Sequence, residues 1–268
     1  MTTPPRCTLD GATVDAVPTS FALHGFGVFT TFVAVDGAVL GWSTHLERLV
    51  EGAARLWGHH VNREQVRDLV RAHLREDSRP TSVRVSLFPE HFVIAAPEDA
   101  AGAHVLITSS PAVLSGQPTP DMRVQTVLHE RPLAHLKTTA LLPLIALRRE
   151  ARLAGYDDAL LCAGDQVLEG TTWNVLVWHE SEVATPDAGV LPGSTLSQIG
   201  VLAERFGYRF LRRAVSRNEL ATADLVLGVS VNHPARAIVS VDGGALAVDR
   251  DLQAALAAGY AALPRDVV

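Results

Sequence analysis

The chain has 268 residues, of which 47% are hydrophobic and 19% are charged, as is usual for a soluble globular protein. Its net charge of -6 argues against a nucleic-acid partner, and no apolar run approaches the ~20 residues needed to cross a bilayer. The amino terminus shows no secretory pattern, and two cysteines are too few for a disulfide framework. These features predict a cytoplasmic enzyme or small-ligand binder, with no nucleic-acid or membrane partner.

The first part of the chain shows the patterns of strands followed by helices. Two segments rich in apolar and β-branched residues, 29–35 and 38–42, lie on either side of an Asp36–Gly37 turn and predict a hairpin. Two helices are predicted to begin at capping signatures, Thr44 with Glu47 and Asn62 with Gln65. The strands predicted in this region cover 29–35, 38–42, 82–88, 91–96 and about 103–109.

Residues 111–121 are rich in proline and glycine and show no period, which is typical of an interdomain connection. We therefore expect a small N-terminal α+β domain over 1–112, a linker over 113–121 and a larger C-terminal domain over 122–268. The strands predicted in the larger domain cover 122–129, 158–163, 173–178, 208–213, 224–229 and the flanks of an Asp242–Gly243 turn. Its predicted helices run from about 139 or 142 to Ala154, from about Ser194 to Phe206, and from 217 to 222.

The basic residues are distributed unevenly, because Lys137 is the only lysine among 23 lysines and arginines. A Schiff base with an aldehyde needs a primary amine that can lose its proton, which arginine cannot provide. Lys137 lies in an apolar stretch at the expected mouth of a helix, where burial disfavours a charged ammonium group. The competing interpretation is that an arginine-biased composition left one lysine by accident.

Several other residues are of types that suit a phosphorylated pyridine cofactor. The carboxylate of Glu169 could keep a pyridine nitrogen protonated. A Pro-Gly turn leads into a predicted helix start, where backbone amides and the hydroxyls of Ser194 and Thr195 suit a phosphate. Residues 228–234 could supply a second set of amides, and Arg48 a bidentate cation. Taken singly, each also fits an ordinary turn, capped helix or surface residue.

Together and in this order, the motifs resemble those of the fold-type IV pyridoxal-phosphate enzymes, or class IV aminotransferases. This family includes branched-chain aminotransferases, D-amino acid aminotransferases and 4-amino-4-deoxychorismate lyases. The matching motifs are HisLeuGluArgLeu (45–49), Lys137 with the later Glu150-Ala151 and Gly155, LeuGluGly-x-x-x-Asn (168–174) and LeuProGly-x-Thr (191–195). The resemblance implies a two-domain, D-amino acid aminotransferase-like α+β architecture, a cofactor-binding C-terminal domain and a homodimer.

The resemblance also implies a role for each matching residue. Lys137 would bind pyridoxal 5'-phosphate as a Schiff base and Glu169 would contact its pyridine nitrogen, so both are expected to be catalytic. The expected cofactor-binding residues are Arg48, Lys137, Glu169, Asn174, Ser194, Thr195, Ser230, Val231 and Asn232. Phe29 and Arg84 are expected to contact the substrate, although Arg84 also fits a surface arginine. No metal site is expected, because the histidines lack metal-ligand spacing.

The chain departs from the family pattern at several positions. Gly25-Phe26-Gly27 replaces the usual Gly-Asp-Gly, and Leu196 stands where an arginine usually follows LeuProGly-x-Thr. Branched-chain aminotransferases place a tyrosine just past the lysine, whereas the nearest downstream tyrosine here is Tyr156.

We expect an aminotransferase that moves an amino group between an amino acid and a 2-oxo acid, since that activity is the commoner one in the family. The alternative is a 4-amino-4-deoxychorismate lyase that releases pyruvate and p-aminobenzoate, because Phe29-Thr30-Thr31 and Pro234 are similar to that branch. A cofactor-binding protein without turnover and an α+β protein without any cofactor are the remaining alternatives.

Overall fold

The computed structural model describes residues 6–14, 24–74, 80–112, 116 and 119–268. Over these residues the chain forms two compact units, both of which contain helices and a sheet, so the predicted α+β class is confirmed. The first unit takes in Met1–Val113, Leu136–Leu141 and Pro264–Val268, and the second takes in Leu114–His135 and Leu142–Leu263. Five residues of the predicted linker, 113–115, 117 and 118, lie outside the described ranges, and its role stays a prediction.

The first unit is built on an antiparallel sheet of seven strands, numbered here along the whole chain. They are β1 (Arg6–Leu9), β2 (Ala12–Thr13), β3 (Val28–Val35), β4 (Ala38–Val39), β5 (Thr81–Phe88), β6 (His104–Pro111) and β16 (Asp266–Val267). Their order across the sheet is β16-β4-β3-β5-β6-β1-β2, so the last strand of the chain pairs beside the predicted hairpin of β3 and β4.

Two helices, α1 (Trp42–Trp57) and α2 (Arg63–Leu74), belong to the same unit. The apolar positions of α1 recur at helical spacing, and they pack into one core with alternate residues of β3, including Val28 and Phe32. Because successive strand side chains point to opposite faces, Phe29 lies on the other face of this sheet from α1.

Two local predictions in the first unit are wrong. Helix α1 begins at Trp42 rather than at a Thr44 capping box, because the Trp42 N–H donates to the distant Asp266 carboxylate (3.0 Å). Residues 91–96, all described, form no strand: His91 makes an isolated bridge, and Val93 and Ile94 are 62% and 72% exposed. Their run of apolar residues therefore meets no sheet that would bury it.

The second unit contains a nine-stranded mixed sheet. Its strands are β7 (Met122–Leu128), β8 (Asp158–Ala163), β9 (Gln166–Gly170), β10 (Asn174–His179), β11 (Glu182–Thr185), β12 (Arg209–Arg212), β13 (Leu225–Ser230), β14 (His233–Val241) and β15 (Gly244–Ala245). The order is β12-β11-β10-β13-β14-β7-β8-β9, with β15 paired to β14. Three neighbouring pairs are parallel, namely β7 with β8, β7 with β14, and β11 with β12.

Four helices complete this unit: α3 (Leu142–Leu153), α4 (Ser194–Arg205), α5 (Arg217–Thr222) and α6 (Arg250–Ala261). Helix α6 was not predicted, although Asp249 caps it by accepting the Leu252 N–H (2.9 Å). No helix in the described ranges is long and apolar enough to span a bilayer. Within the same ranges, no three His, Cys, Asp or Glu side chains are grouped so that they could hold a metal ion.

Candidate active site

Lys137 lies in a short segment that is bonded to the start of β3. The Phe29 N–H donates to the Lys137 carbonyl (2.8 Å), and the Thr139 N–H donates to the Gly27 carbonyl (2.9 Å). Helix α3 begins five residues after Lys137, at Leu142. The backbone of the lysine is therefore held by strand β3, which the sequence did not predict.

Phe29 is the centre of a cationic cluster in the first unit. The Arg84 guanidinium carbon lies 3.8 Å from the centroid of the Phe29 ring, and Lys137 Nζ lies 4.7 Å from it. Arg84 Nε also donates to Ser86 Oγ (3.3 Å), and burial lowers the pKa of Arg84. The predicted substrate-binding pair, Phe29 and Arg84, is thus in contact and close to the only lysine.

On the opposite face of β3, helix α1 places His45 and Arg48. His45 is buried and its Nδ1 is 2.7 Å from the hydroxyl of Thr30, which is itself fully buried. Burial, together with the positive charges of Arg48 and Lys137, lowers the pKa of His45 to about 3. Burial also lowers the pKa of Arg48 to about 10, which leaves it cationic at neutral pH. Arg48 and Lys137 are therefore both close enough to His45 to affect its pKa, and such a concentration of positive charge favours an anionic ligand.

Glu169, at the end of β9 in the second unit, is a buried carboxylate with several donors. Its Oε1 accepts from Arg131 Nε (2.7 Å), and its Oε2 accepts from the Leu191 N–H (3.1 Å) and from Asn174 Nδ2 (3.4 Å). The side chains of Arg131 and Glu169 are 13% and 6% exposed, so the ion pair is shielded from water. Glu169 is therefore not the solvated turn residue that the sequence left open.

Asn174 connects Glu169 to the start of helix α4. Its Nδ2 also donates to the Leu191 carbonyl (2.8 Å), and its Oδ1 lies so close to Gly193 that an added Cβ would be 2.0 Å away. Gly193 caps α4 without a side-chain hydrogen bond, and the buried Ser194 and Thr195 form the first turn. Backbone N–H groups of such a turn have no partner within the helix, which suits an anion.

The predicted donors Ser230, Val231 and Asn232 form the end of β13 and the turn into β14. Asn174 lies opposite Val229 in the pairing of β10 with β13, so Ser230 is one residue and the turn two residues beyond the level of Asn174. The sheet register therefore brings the third predicted segment beside Asn174.

The predicted site residues thus fall into two groups. Those of the first unit are Phe29, Arg48, Arg84 and Lys137; those of the second are Glu169, Asn174, Ser194, Thr195, Ser230, Val231 and Asn232.

Two buried charge networks were missed by sequence reasoning. One is the Arg131–Glu169 pair described above. The other centres on Asp158, which accepts from Arg148 Nε (3.0 Å), from the Thr171 hydroxyl (2.7 Å) and from Trp173 Nε1 (3.0 Å). This network fixes the 171–173 loop that joins Glu169 to Asn174. The partners lie too far apart in the chain for any local motif to reveal them.

Known proteins with similar sequence and structure agree on one family. The family model described as amino-transferase class IV matches residues 27–241, which include all the predicted site residues. A D-alanine aminotransferase from Bacillus licheniformis is 29% identical over 110 residues, which are 40% of this chain but only 39% of that relative's length.

Solved structures share the fold at low sequence identity. A branched-chain aminotransferase from Thermoproteus uzoniensis, solved with norvaline, has a TM-score of 0.84 at 23% identity, covering 95% of this chain and 93% of its own. A fold IV transaminase from Curtobacterium pusillum has a TM-score of 0.81 at 24% identity, with coverages of 96% and 97%. A PLP-bound hypothetical aminotransferase from Mycobacterium tuberculosis has a TM-score of 0.80 at 19% identity, with coverages of 94% and 97%.

These similarities confirm the predicted fold-type IV architecture. Since the family model covers most of the chain, the protein is an enzyme of the class IV aminotransferase family.

Proposed function

We propose that the protein is a pyridoxal-phosphate-dependent aminotransferase that transfers an amino group between an amino acid and a 2-oxo acid. The observation that carries the proposal is the placement of Lys137. The chain's only primary side-chain amine sits 4.7 Å from the buried Phe29 ring, on a backbone fixed to β3. Family membership and the PLP-bound relative support the same cofactor.

The residues present fit this cofactor chemically. Glu169 is a buried carboxylate beside a guanidinium, which favours its anionic form. An anionic carboxylate can accept a hydrogen bond from a protonated pyridine nitrogen. The first turn of α4 and the cationic Arg48 are suitable partners for a phosphate. When bound, pyridoxal phosphate supplies an aldehyde that condenses with amines and a ring that stores the electrons of a substrate carbanion.

Each residue would then have a separate task. Lys137 would hold the cofactor covalently and, once displaced by a substrate amine, would move a proton at the substrate α-carbon. Glu169 would bind the ring nitrogen, while Arg48 and the amides of Ser194 and Thr195 would bind the phosphate.

Arg84 would bind a substrate carboxylate. Its guanidinium lies over the Phe29 ring and donates to Ser86, so less side-chain entropy remains to be lost on binding. Such preorganisation suits the fixed geometry of a carboxylate. We also propose a homodimer, as the resemblance to the family implies, and a cytoplasmic location, which suits a chain with two cysteines.

The second candidate is a 4-amino-4-deoxychorismate lyase, and the residue that favours it is Thr30. Its hydroxyl is buried against His45, in a Phe-Thr-Thr sequence that resembles the lyase branch. The two reactions differ in whether the amino group remains on the enzyme.

A half-reaction separates these candidates. An aminotransferase given an amino donor without an acceptor should lose the visible absorption of its aldehyde form and regain it when a 2-oxo acid is added. Pyruvate and p-aminobenzoate released from aminodeoxychorismate, with no spectral change across L- and D-amino acids, would establish the lyase instead. Full cofactor occupancy with neither reaction would contradict both activities.

A further inference from the structure

Arg131 donates hydrogen bonds both to Glu169 and to the backbone of the segment that precedes Lys137. Its Nε donates to Glu169 Oε1 and a terminal nitrogen donates to the Ala134 carbonyl, each at 2.7 Å. Ala134 is itself buried and lies three residues before Lys137 in the chain. The guanidinium is planar and rigid, so two short bonds fix both its position and that of its partners.

The ion pair has a clear electrostatic consequence for Glu169. A carboxylate that is 6% exposed would gain a proton readily if it were alone, because burial disfavours its charge. Arg131 is always cationic and opposes that tendency at hydrogen-bond distance. The backbone N–H of Leu191 adds a second donor from a different direction. These contacts favour the anionic form of the carboxylate and hold it in one direction.

We infer that Arg131 is a positioning residue that keeps Glu169 ionised and oriented as the acceptor for the cofactor's ring nitrogen. The inference rests on the proposed function, since it assigns Arg131 a part in binding the same cofactor through Glu169. An arginine with only a structural part would stabilise the unit without affecting how the protein treats one atom of the ring.

The test compares the affinity of the full chain for pyridoxal phosphate with that for its deaza analogue, in which a CH group replaces the ring nitrogen. Cofactor-free protein is titrated with each compound, and thermal unfolding confirms that every variant is folded. Wild type should prefer pyridoxal phosphate by about tenfold or more, the worth of one charge-assisted hydrogen bond. Glu169→Gln should lose most of that preference, and its value shows how large the loss is when the carboxylate itself is removed.

Arg131→Met should lose the preference as Glu169→Gln does, whereas Arg131→Lys, which keeps the charge, should retain part of it. Arg213→Met is the matched control, because it removes a more exposed ion pair, with Glu219, in the same unit. Its preference should stay at the wild-type value. If Arg131→Met does not fold, the preference for pyridoxal phosphate over the deaza analogue is compared between Arg131→Lys and Glu169→Gln instead.

The outcomes separate failure of this inference from failure of the proposed function. Wild-type protein that binds neither compound would contradict the proposed function and the inference with it. Suppose that wild-type protein prefers pyridoxal phosphate, but that the Arg131 substitutions weaken the binding of both compounds equally or of neither. That result would overturn the role of Arg131 alone.

Discussion

Arg48 is a residue whose charge and burial oppose each other. Burial lowers its pKa to about 10, yet the side chain remains protonated at neutral pH. A buried cation needs acceptors or an opposite charge around it, and a phosphate could be one of these partners. Its place on α1, three residues after the buried His45, is in accord with the phosphate contact that the family resemblance implies.

Arg48→Ala should therefore weaken pyridoxal phosphate binding by about ten- to a hundredfold, the worth of one charged hydrogen bond. Equilibrium titration of cofactor-free protein measures this change. Arg55→Ala is the matched control, because Arg55 is an exposed residue of the same helix. Equal affinities in the two variants would remove Arg48 from the cofactor site.

His45 makes folding stability depend on pH. Its pKa is about 3 in the folded protein against an ordinary 6.5, so between these values the unfolded chain binds a proton that the folded chain does not. Stability contributed by neutral His45 is therefore lost as the pH falls below about 6.5. From about pH 7 to about pH 5 this loss should be about 2 kcal/mol.

Urea unfolding of wild type and His45→Gln at both pH values measures the part of this pH-dependent loss of stability that comes from His45. The variant should lose about 2 kcal/mol less than wild type over the same interval. His60→Gln, at an exposed position, should behave like wild type. An identical pH dependence in wild type and His45→Gln would show that His45 is not held neutral.

At the scale of elements, the start of helix α4 depends on a close approach between Asn174 and Gly193. A Cβ on Gly193 would lie 2.0 Å from Asn174 Oδ1, a distance that atoms cannot adopt without movement of the chain. Asn174 is also bonded to Leu191 and Glu169, so movement there would disturb the proposed phosphate and ring-nitrogen contacts together.

Gly193→Ala should therefore lower both thermal stability and affinity for pyridoxal phosphate, the latter by about tenfold if one phosphate contact is lost. Gly259→Ala is the control: it lies within helix α6, where a Cβ would make only ordinary contacts with Leu202 and Phe206. That variant should gain about 0.5–1 kcal/mol of stability with unchanged affinity. Full cofactor affinity in folded Gly193→Ala would contradict the proposal that the first turn of α4 binds the cofactor phosphate.

Elements whose signals are local were the ones that could be predicted. Helix α5 occupies the predicted 217–222, because Ser216 and Glu219 form a capping box that is written in four residues. The start of α1 could not be predicted, since Asp266, which bonds Trp42, is more than two hundred residues away. The 91–96 segment is apolar and contains the strand-forming residues Phe92, Val93 and Ile94, but only tertiary structure decides whether a partner strand is present.

At the scale of the whole molecule, the same distinction applies to the candidate site. Lys137 and Glu169 could be selected from sequence because each stands in a motif that resembles the family's. Arg131 could not, because its partner Glu169 is 38 positions away and no pattern connects them. The position of Arg84 over the Phe29 ring could not be predicted either, because that contact depends on the register of β3 with β5.

The central claim, that Lys137 binds pyridoxal phosphate covalently, is tested most directly by reduction with borohydride followed by peptide mapping. Because Lys137 is the only lysine, the terminal amine is the only other primary amine that could compete. The account predicts one phosphopyridoxyl group per chain, on the peptide that contains Lys137, and none in Lys137→Arg. Reduced cofactor on any other residue, or no cofactor on folded protein saturated with pyridoxal phosphate, would contradict it.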